Sequence, residues 1–226
     1  MPIIYQKNIN NREILGVWKI TESVDELLTM VDFSEDDHAI FEKFKIKARQ
    51  AHWLSYRLMI RQLMGNECDC DFYYDEHGKL QFKNINYSIS VTHSGLYSGV
   101  IISSTHYVGI DIEKLGNRIN LLADKFLSQE EKSFLPTEQQ HRYLTVLWSA
   151  KEALYKLFGK SNLIFDSNII LSPFELQKIG TIKGRISIGE INKEYELAYE
   201  FSDSEDYILV YCVDKSMRIL SKTSQL

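Results

Sequence analysis

Along the 226-residue chain the spacing of apolar residues switches repeatedly between a period of two and a period near 3.6, and these switches mark out its elements. Alternation predicts a strand over residues 14–20. Ser23, with Glu26 three positions on, has the form of a capping box that opens a short helix. Ser34 caps a second helix that runs, with a break, towards Met64, where Gly65 and Asn66 stop it. Its best apolar stripe passes through Phe44, Ala48, Ala51, Leu54, Leu58 and Met64. Strands at 72–74 and 80–82 flank a turn at Glu76-His77-Gly78-Lys79, and further strands are expected at 87–91, 97–103 and 107–113. Helices follow near 121–126, from the Ser128 cap to residue 134, and over 138–158, the last closed by Gly159. The tail alternates in β fashion over 169–171, 181–188, 195–201 and 207–213.

The order strand, helices, strands therefore occurs twice. It predicts an α+β fold of two pseudo-symmetric halves, 1–105 and 106–226, each a long helix packed on a small, mostly antiparallel sheet. No residue-level repeat accompanies the pattern. Three prolines and no Ser/Gly-rich linker predict that the halves form one body.

Composition narrows the function classes. Apolar residues make up 44% and charged residues 25%, which excludes wholesale disorder. No apolar run reaches the ~20 residues of a membrane span, and the first residues lack the basic start and apolar stretch of a secretory signal, so a cytoplasmic location is expected. Cys68 and Cys70 form a C-x-C with no second pair to complete a four-ligand zinc site, and Cys212 sits in an apolar stretch that reads as buried. A net charge of -5 argues against a general nucleic-acid binder. Locally the picture differs: residues 22–37 hold seven acids and no Lys or Arg, whereas residues 43–61 hold six basic residues and no acid. Such a basic run is either a solvated helix face or a site for a phosphate-bearing ligand.

Three stretches carry candidate chemistry. In Val108-Gly109-Ile110-Asp111-Ile112-Glu113 the alternation puts Gly109, Asp111 and Glu113 on one strand face, with open space expected beside the glycine. Two carboxylates ~5 Å apart at an effective dielectric near 20 repel by about 3 kcal/mol, so a cation is needed beside them unless they face water. In Trp148-Ser149-Ala150-Lys151-Glu152-Ala153-Leu154-Tyr155-Lys156, the helical spacing stacks Trp148, Glu152 and Lys156 on one face. That face is either an exposed Glu–Lys pair beside a core tryptophan, or a third carboxylate and a cation for a hard divalent ion and a phosphate. Ser90-Val91-Thr92-His93-Ser94-Gly95 sets a histidine at a strand end, without the G-x-S-x-G elbow of a hydrolase triad.

Together, and in this order, the stretches resemble the 4′-phosphopantetheinyl transferases of the surfactin-synthetase-activating type, in which one chain carries two pseudo-symmetric halves. Gly109-Ile110-Asp111-Ile112-Glu113 matches G-[I/V]-D-x-E, and Trp148 to Lys156 matches W-S-x-K-E-[A/S]-x-x-K about forty residues on. Thr92-His93-Ser94-Gly95 matches the upstream [S/T]-H-S-G, and Gly78-Lys79 a Gly-Lys turn, with Leu80 where proline is common. The resemblance spans residues 77–160 and implies Mg²⁺-dependent transfer of the 4′-phosphopantetheine arm of coenzyme A to a serine of an apo acyl or peptidyl carrier protein, with Mn²⁺ as an alternative ion. Adenosine 3′,5′-bisphosphate leaves. By position, the resemblance assigns Asp111, Glu113 and Glu152 to the metal and Glu152 also to the serine proton. It assigns Lys156 to the pyrophosphate, and Lys79, Thr92, His93 and Arg49 to the 3′-phosphate end, with Arg57 as the alternative to Arg49. It further implies a monomer. For the acidic carrier, Arg118, Lys125, Lys132 and Lys151 are candidate cations, and Leu121, Leu122 and Phe126 candidate apolar contacts. The competing classes are a Mg²⁺-dependent phosphohydrolase or nucleotidyl transferase and a non-catalytic nucleotide-binding module. The former would consume coenzyme A or a nucleotide without a protein acceptor.

Overall fold

In the computed structural model, which describes residues 3–65, 70–160 and 162–218, most of the chain is two antiparallel sheets and two long helices. β1 (Ile3–Asn8) and β2 (Glu13–Lys19) form a hairpin, and α1 (Val24–Leu28) and α2 (Glu35–Phe41) lead into the long α3 (Lys47–Met64). β3 (Phe72–Tyr74) pairs with β4 (Leu80–Phe82), and β5 (Ser88–Ser94), β6 (Tyr97–Ser103) and β7 (His106–Lys114) follow. A 3₁₀ turn at Asn117–Leu121, α4 (Ala123–Phe126) and α5 (Gln129–Ser133) precede the second long helix, α6 (Gln140–Phe158). The chain ends with α7 (Phe165–Asn168), β8 (Ile169–Leu171), β9 (Ile179–Ile188), β10 (Ile191–Phe201) and β11 (Tyr207–Arg218).

The first sheet has the order β1-β2-β6-β5 and the second β7-β11-β10-β9-β8. Three buried clusters separate four layers. Trp18, Trp53, Leu54, Met59 and Ile89 fill the space between α3 and the first sheet. Leu15, Val17, Ile101, Ile110 and Leu209 lie between the sheets, and Leu147, Ala150, Leu154, Ile186 and Leu197 lie between the second sheet and α6. The α+β class and the helix-on-sheet pairing expected from the pattern are thus observed. Ser23 and Ser128 each close a reciprocal capping box, Ser34 caps α2 through the Asp37 amide, and Gly159 ends α6 at φ 70°. Cys212 is buried as expected, whereas Asn66 and Cys68 lie outside the described residues.

Two elements escape the pattern. β1 is an edge strand whose inner positions are only half-buried, so its alternation is faint, and α7 is a single turn, too short to show a helical period. The open space expected beside Gly109 is also absent. A Cβ there would stand 2.1 Å from the Ala153 carbonyl oxygen, because the backbone of α6 packs directly on β7. This contact brings the acidic strand and the Glu152–Lys156 turn of α6 together. Gly109→Ala should therefore push α6 off the sheet, lowering stability by about 3 kcal/mol or more in urea unfolding. A variant as stable as the parent would show that the helix approach is not close.

Candidate active site

β7 is the edge of its sheet. Its odd-numbered residues turn their amides towards β11, which leaves the N–H groups of Val108, Ile110, Ile112 and Lys114 pointing outwards and in need of acceptors. The edge of the first sheet supplies them: Ser88, Ser90, Thr92 and Ser94 of β5 accept from these four amides at 3.2, 3.3, 3.2 and 3.1 Å. The constant offset of 20 residues means that β5 and β7 run side by side and parallel, joined by hydroxyls rather than carbonyls. The alternation Ser88-Ile89-Ser90-Val91-Thr92-His93-Ser94 is what makes such a joint: one strand face is all hydroxyl.

At the end of this joint the candidate residues converge on a cleft of about 690 Å³. Asp111, Glu113, Glu152, Lys156 and Trp148 form one end. Phe44, Trp53, Tyr56 and Tyr74 form an aromatic end, and Arg49, Thr92 and His93 also line it. The cation demanded by the acidic strand is Lys156, whose Nζ lies 2.7 Å from Asp111 Oδ1 and 3.0 Å from Thr92 Oγ1. Thr92 Oγ1 donates to the same Asp111 oxygen at 2.9 Å, and Ser94 Oγ donates to Glu113 Oε1 at 2.8 Å. The Glu152 carboxyl has no side-chain hydrogen bond among the described residues; burial, opposed by Lys156 and reinforced by Asp111 and Glu113, pushes its pKa up to about 7. Burial and then Asp111 also raise Glu113, against the hydrogen bond from Ser94. Across the cleft His93 stacks on His52 with ring centroids 4.3 Å apart. Desolvation, then the charges of His52, Lys156 and Arg49, lower His93 to about 4.

The donor set suits a hard cation: three carboxylates line one cleft, and Asp111 Oδ2 is buried without a partner. They are not gathered round one point, however, since among the described residues no three His, Cys, Asp or Glu side chains form a ready metal cluster. Lys156 and the two hydroxyls hold Asp111 and Glu113 instead.

Other sequence candidates land elsewhere. Lys79 does not line this cleft: its Nζ donates to the Lys156 carbonyl at 2.8 Å, capping the last turn of α6, and desolvation lowers it to about 8. Arg57 is buried, with Nη2 3.0 Å from Asp37 Oδ1 and its guanidinium over Trp53 and Phe72. Of the two arginines, Arg49 faces the cleft. Arg61 likewise donates to the Asp32 carbonyl, so part of the contrast between acidic and basic runs is local pairing of α3 with its preceding segment. Lys151 is wholly buried rather than on a docking surface; its ammonium contacts Glu131 and the carbonyls of Phe126, Phe165 and Ile169 at 2.7–2.9 Å. Phe126 is buried beneath Trp148. Arg118, Leu121 and Lys125 remain exposed, while Lys132 pairs with Asp124. Sequence reasoning missed His52 and the hydroxyls of β5. The signals were present: His52 lies three residues from Arg49, on the same helix face, and the hydroxyls alternate.

A family profile for the 4′-phosphopantetheinyl transferase superfamily matches residues 107–212, the segment from β7 to β11 that holds Asp111, Glu113, Glu152 and Lys156. Two curated proteins are similar to the chain. One, from Synechocystis sp., is provisionally named a 4′-phosphopantetheinyl transferase; it is 26% identical over 140 residues, covering 56% of this chain and 57% of that protein. The other, the 4′-phosphopantetheinyl transferase psf-1 of Bacillus pumilus, is 29% identical over 148 residues, or 62% of each chain. The chain thus spans about three-fifths of the length of the curated relatives it matches. Arg49, Lys79, Thr92 and His93 precede the superfamily segment. No helix among the described residues is long and apolar enough to cross a membrane.

Protonation of Glu152 gives a test that needs no substrate. Its pKa is higher folded than the ordinary value of 4.5, so the stability lent by its neutral form is complete below about 4.5 and is lost as pH rises through about 7. Glu152→Gln, neutral throughout, should stabilise the ligand-free protein at pH 8 by about 1–3 kcal/mol and change little at pH 4.5. Equal effects in urea unfolding at both pH values would remove the burial argument.

Proposed function

We propose that the protein is an enzyme that transfers the 4′-phosphopantetheine arm of coenzyme A to a serine of an apo acyl or peptidyl carrier protein. The observation that carries this reading is the meeting, in one cleft, of the superfamily's acidic strand with the Glu152–Lys156 turn and the cationic wall of α3. Asp111, Glu113 and Glu152 would hold Mg²⁺ or Mn²⁺, which supplies charge neutralisation at the pyrophosphate. The serine oxygen bonds to the β-phosphorus, the bridge to the α-phosphate breaks, and adenosine 3′,5′-bisphosphate departs with the bond's electron pair. The serine proton passes to Glu152, directly or through water. Lys156 lies where a pyrophosphate oxygen could replace its contact with Asp111, and Arg49 and His93, which line the same cleft, would meet the 3′-phosphate. The nucleophile comes from the partner, so no triad is required. The pseudo-symmetric single chain of the surfactin-activating type, divided at 105/106 and acting as a monomer in the cytoplasm, fits this reading.

The test is intact mass of a panel of apo carriers incubated with protein, coenzyme A and Mg²⁺. A chelator-sensitive gain of one phosphopantetheine is expected; loss of coenzyme A without carrier modification would favour a phosphohydrolase. Glu152→Gln should slow transfer by ~10²-fold or more, whereas Lys156→Met should also weaken coenzyme A in saturation kinetics. Reversing the exposed charges, as Arg118→Glu with Lys125→Glu, should raise the carrier KM several-fold without changing that for coenzyme A. An unchanged carrier KM would move the docking surface elsewhere.

A further inference from the structure

We propose that Ser94, with Thr92, is a positioning residue: two hydroxyls from β5 set the orientation of the carboxylates on β7. The inference rests on the reading of Asp111 and Glu113 as working carboxylates. A hydroxyl has one proton and two lone pairs. Ser94 gives its proton to Glu113 Oε1 and accepts from the Lys114 amide. Thr92 gives its proton to Asp111 Oδ1 and accepts from both the Ile112 amide and Lys156 Nζ, which exhausts its capacity. In this arrangement the single proton of Thr92 is spent on Asp111, so the hydroxyl holds that carboxylate.

Both residues use one arrangement twice over. Each hydroxyl takes the amide of residue i+20 and donates to the carboxylate of residue i+19, so backbone and side chain of β7 are fixed by the same atom. Without that donor, Glu113 would be free to rotate away from Asp111, which repels it. Partners that orient a carboxylate commonly set metal affinity or activity by 10–100-fold. Ser88 provides an internal control, since it accepts from the Val108 amide at 3.2 Å and lies opposite Tyr107, which has no carboxylate to orient.

The experiment compares wild type with Ser94→Ala, Ser94→Thr, Thr92→Val and Ser88→Ala. Three quantities are read: stability in urea, transfer kinetics, and Mn²⁺ affinity by electron paramagnetic resonance without coenzyme A. Ser88→Ala should lose at least as much stability as Ser94→Ala, because the Val108 amide it leaves unpaired is buried and the Lys114 amide is exposed. Only Ser94→Ala and Thr92→Val should lose about 10–100-fold in kcat and in Mn²⁺ affinity with coenzyme A KM nearly unchanged. Ser94→Thr, which keeps the hydroxyl, should recover both. The proposal is overturned if Ser94→Ala behaves as Ser88→Ala in kcat and Mn²⁺ affinity, or if wild type does not bind Mn²⁺. If Thr92→Val loses coenzyme A affinity while kcat holds, Thr92 is a ligand contact and its part of the proposal falls. Wild type that binds Mn²⁺ but transfers nothing overturns the transferase reading alone, because Mn²⁺ affinity across the variants still scores the positioning role.

Discussion

The outward amides of β7 must find acceptors, and the hydroxyl face of β5 is where they find them. The buried amides of Val108, Ile110 and Ile112 cannot be left unpaired, since each would cost about 1–3 kcal/mol. Ordinary sheet continuation would merge the two sheets into one. Side-chain acceptors instead let β7 dock on the hydroxyl face of β5, with the cleft at the end of the joint where Thr92, Asp111 and Glu113 lie. The apolar layer of Leu15, Val17, Ile101, Ile110 and Leu209 then seals the rest of the junction.

Negative charge in the cleft is only partly answered. Lys156 answers Asp111, two hydroxyls hold one oxygen each of Asp111 and Glu113, and Glu152 relieves its burial by holding a proton near neutrality. In such a site an added positive charge would relieve repulsion already present between the carboxylates. The close packing of Ala153 on Gly109 makes the arrangement rigid, because neither the strand nor the helix can shift without the other.

Buried charges elsewhere do structural work that resembles functional signal when seen in one dimension. Lys151, next to Glu152 in the motif, ties α6 to α4, α5, α7 and β8 through Glu131 and three carbonyls. Arg57 belongs to the basic run but is spent on Asp37 and two aromatic faces. A buried ion pair of this kind holds its surroundings in register more than it adds net stability. The sequence neighbours Lys151 and Glu152 thus point to opposite surroundings because successive helix positions are ~100° apart.

Local chemistry is legible from local sequence. Caps at Ser23, Ser34 and Ser128, the stop at Gly159, the alternation of the strands and the shared face of Trp148, Glu152 and Lys156 all depend on residues within a few positions of one another. The sequence alone therefore determined the α+β class, the two long helices and the set of acidic and basic groups. Tertiary structure alone decided how they are used. Whether Arg49 or Arg57 faces the cleft, whether Lys79 reaches a ligand or caps α6, and which hydroxyl holds which carboxylate depend on contacts between residues 19 to 77 positions apart. Such contacts form only when packed layers set the distance between strands and helices, and no spacing along the chain encodes that distance.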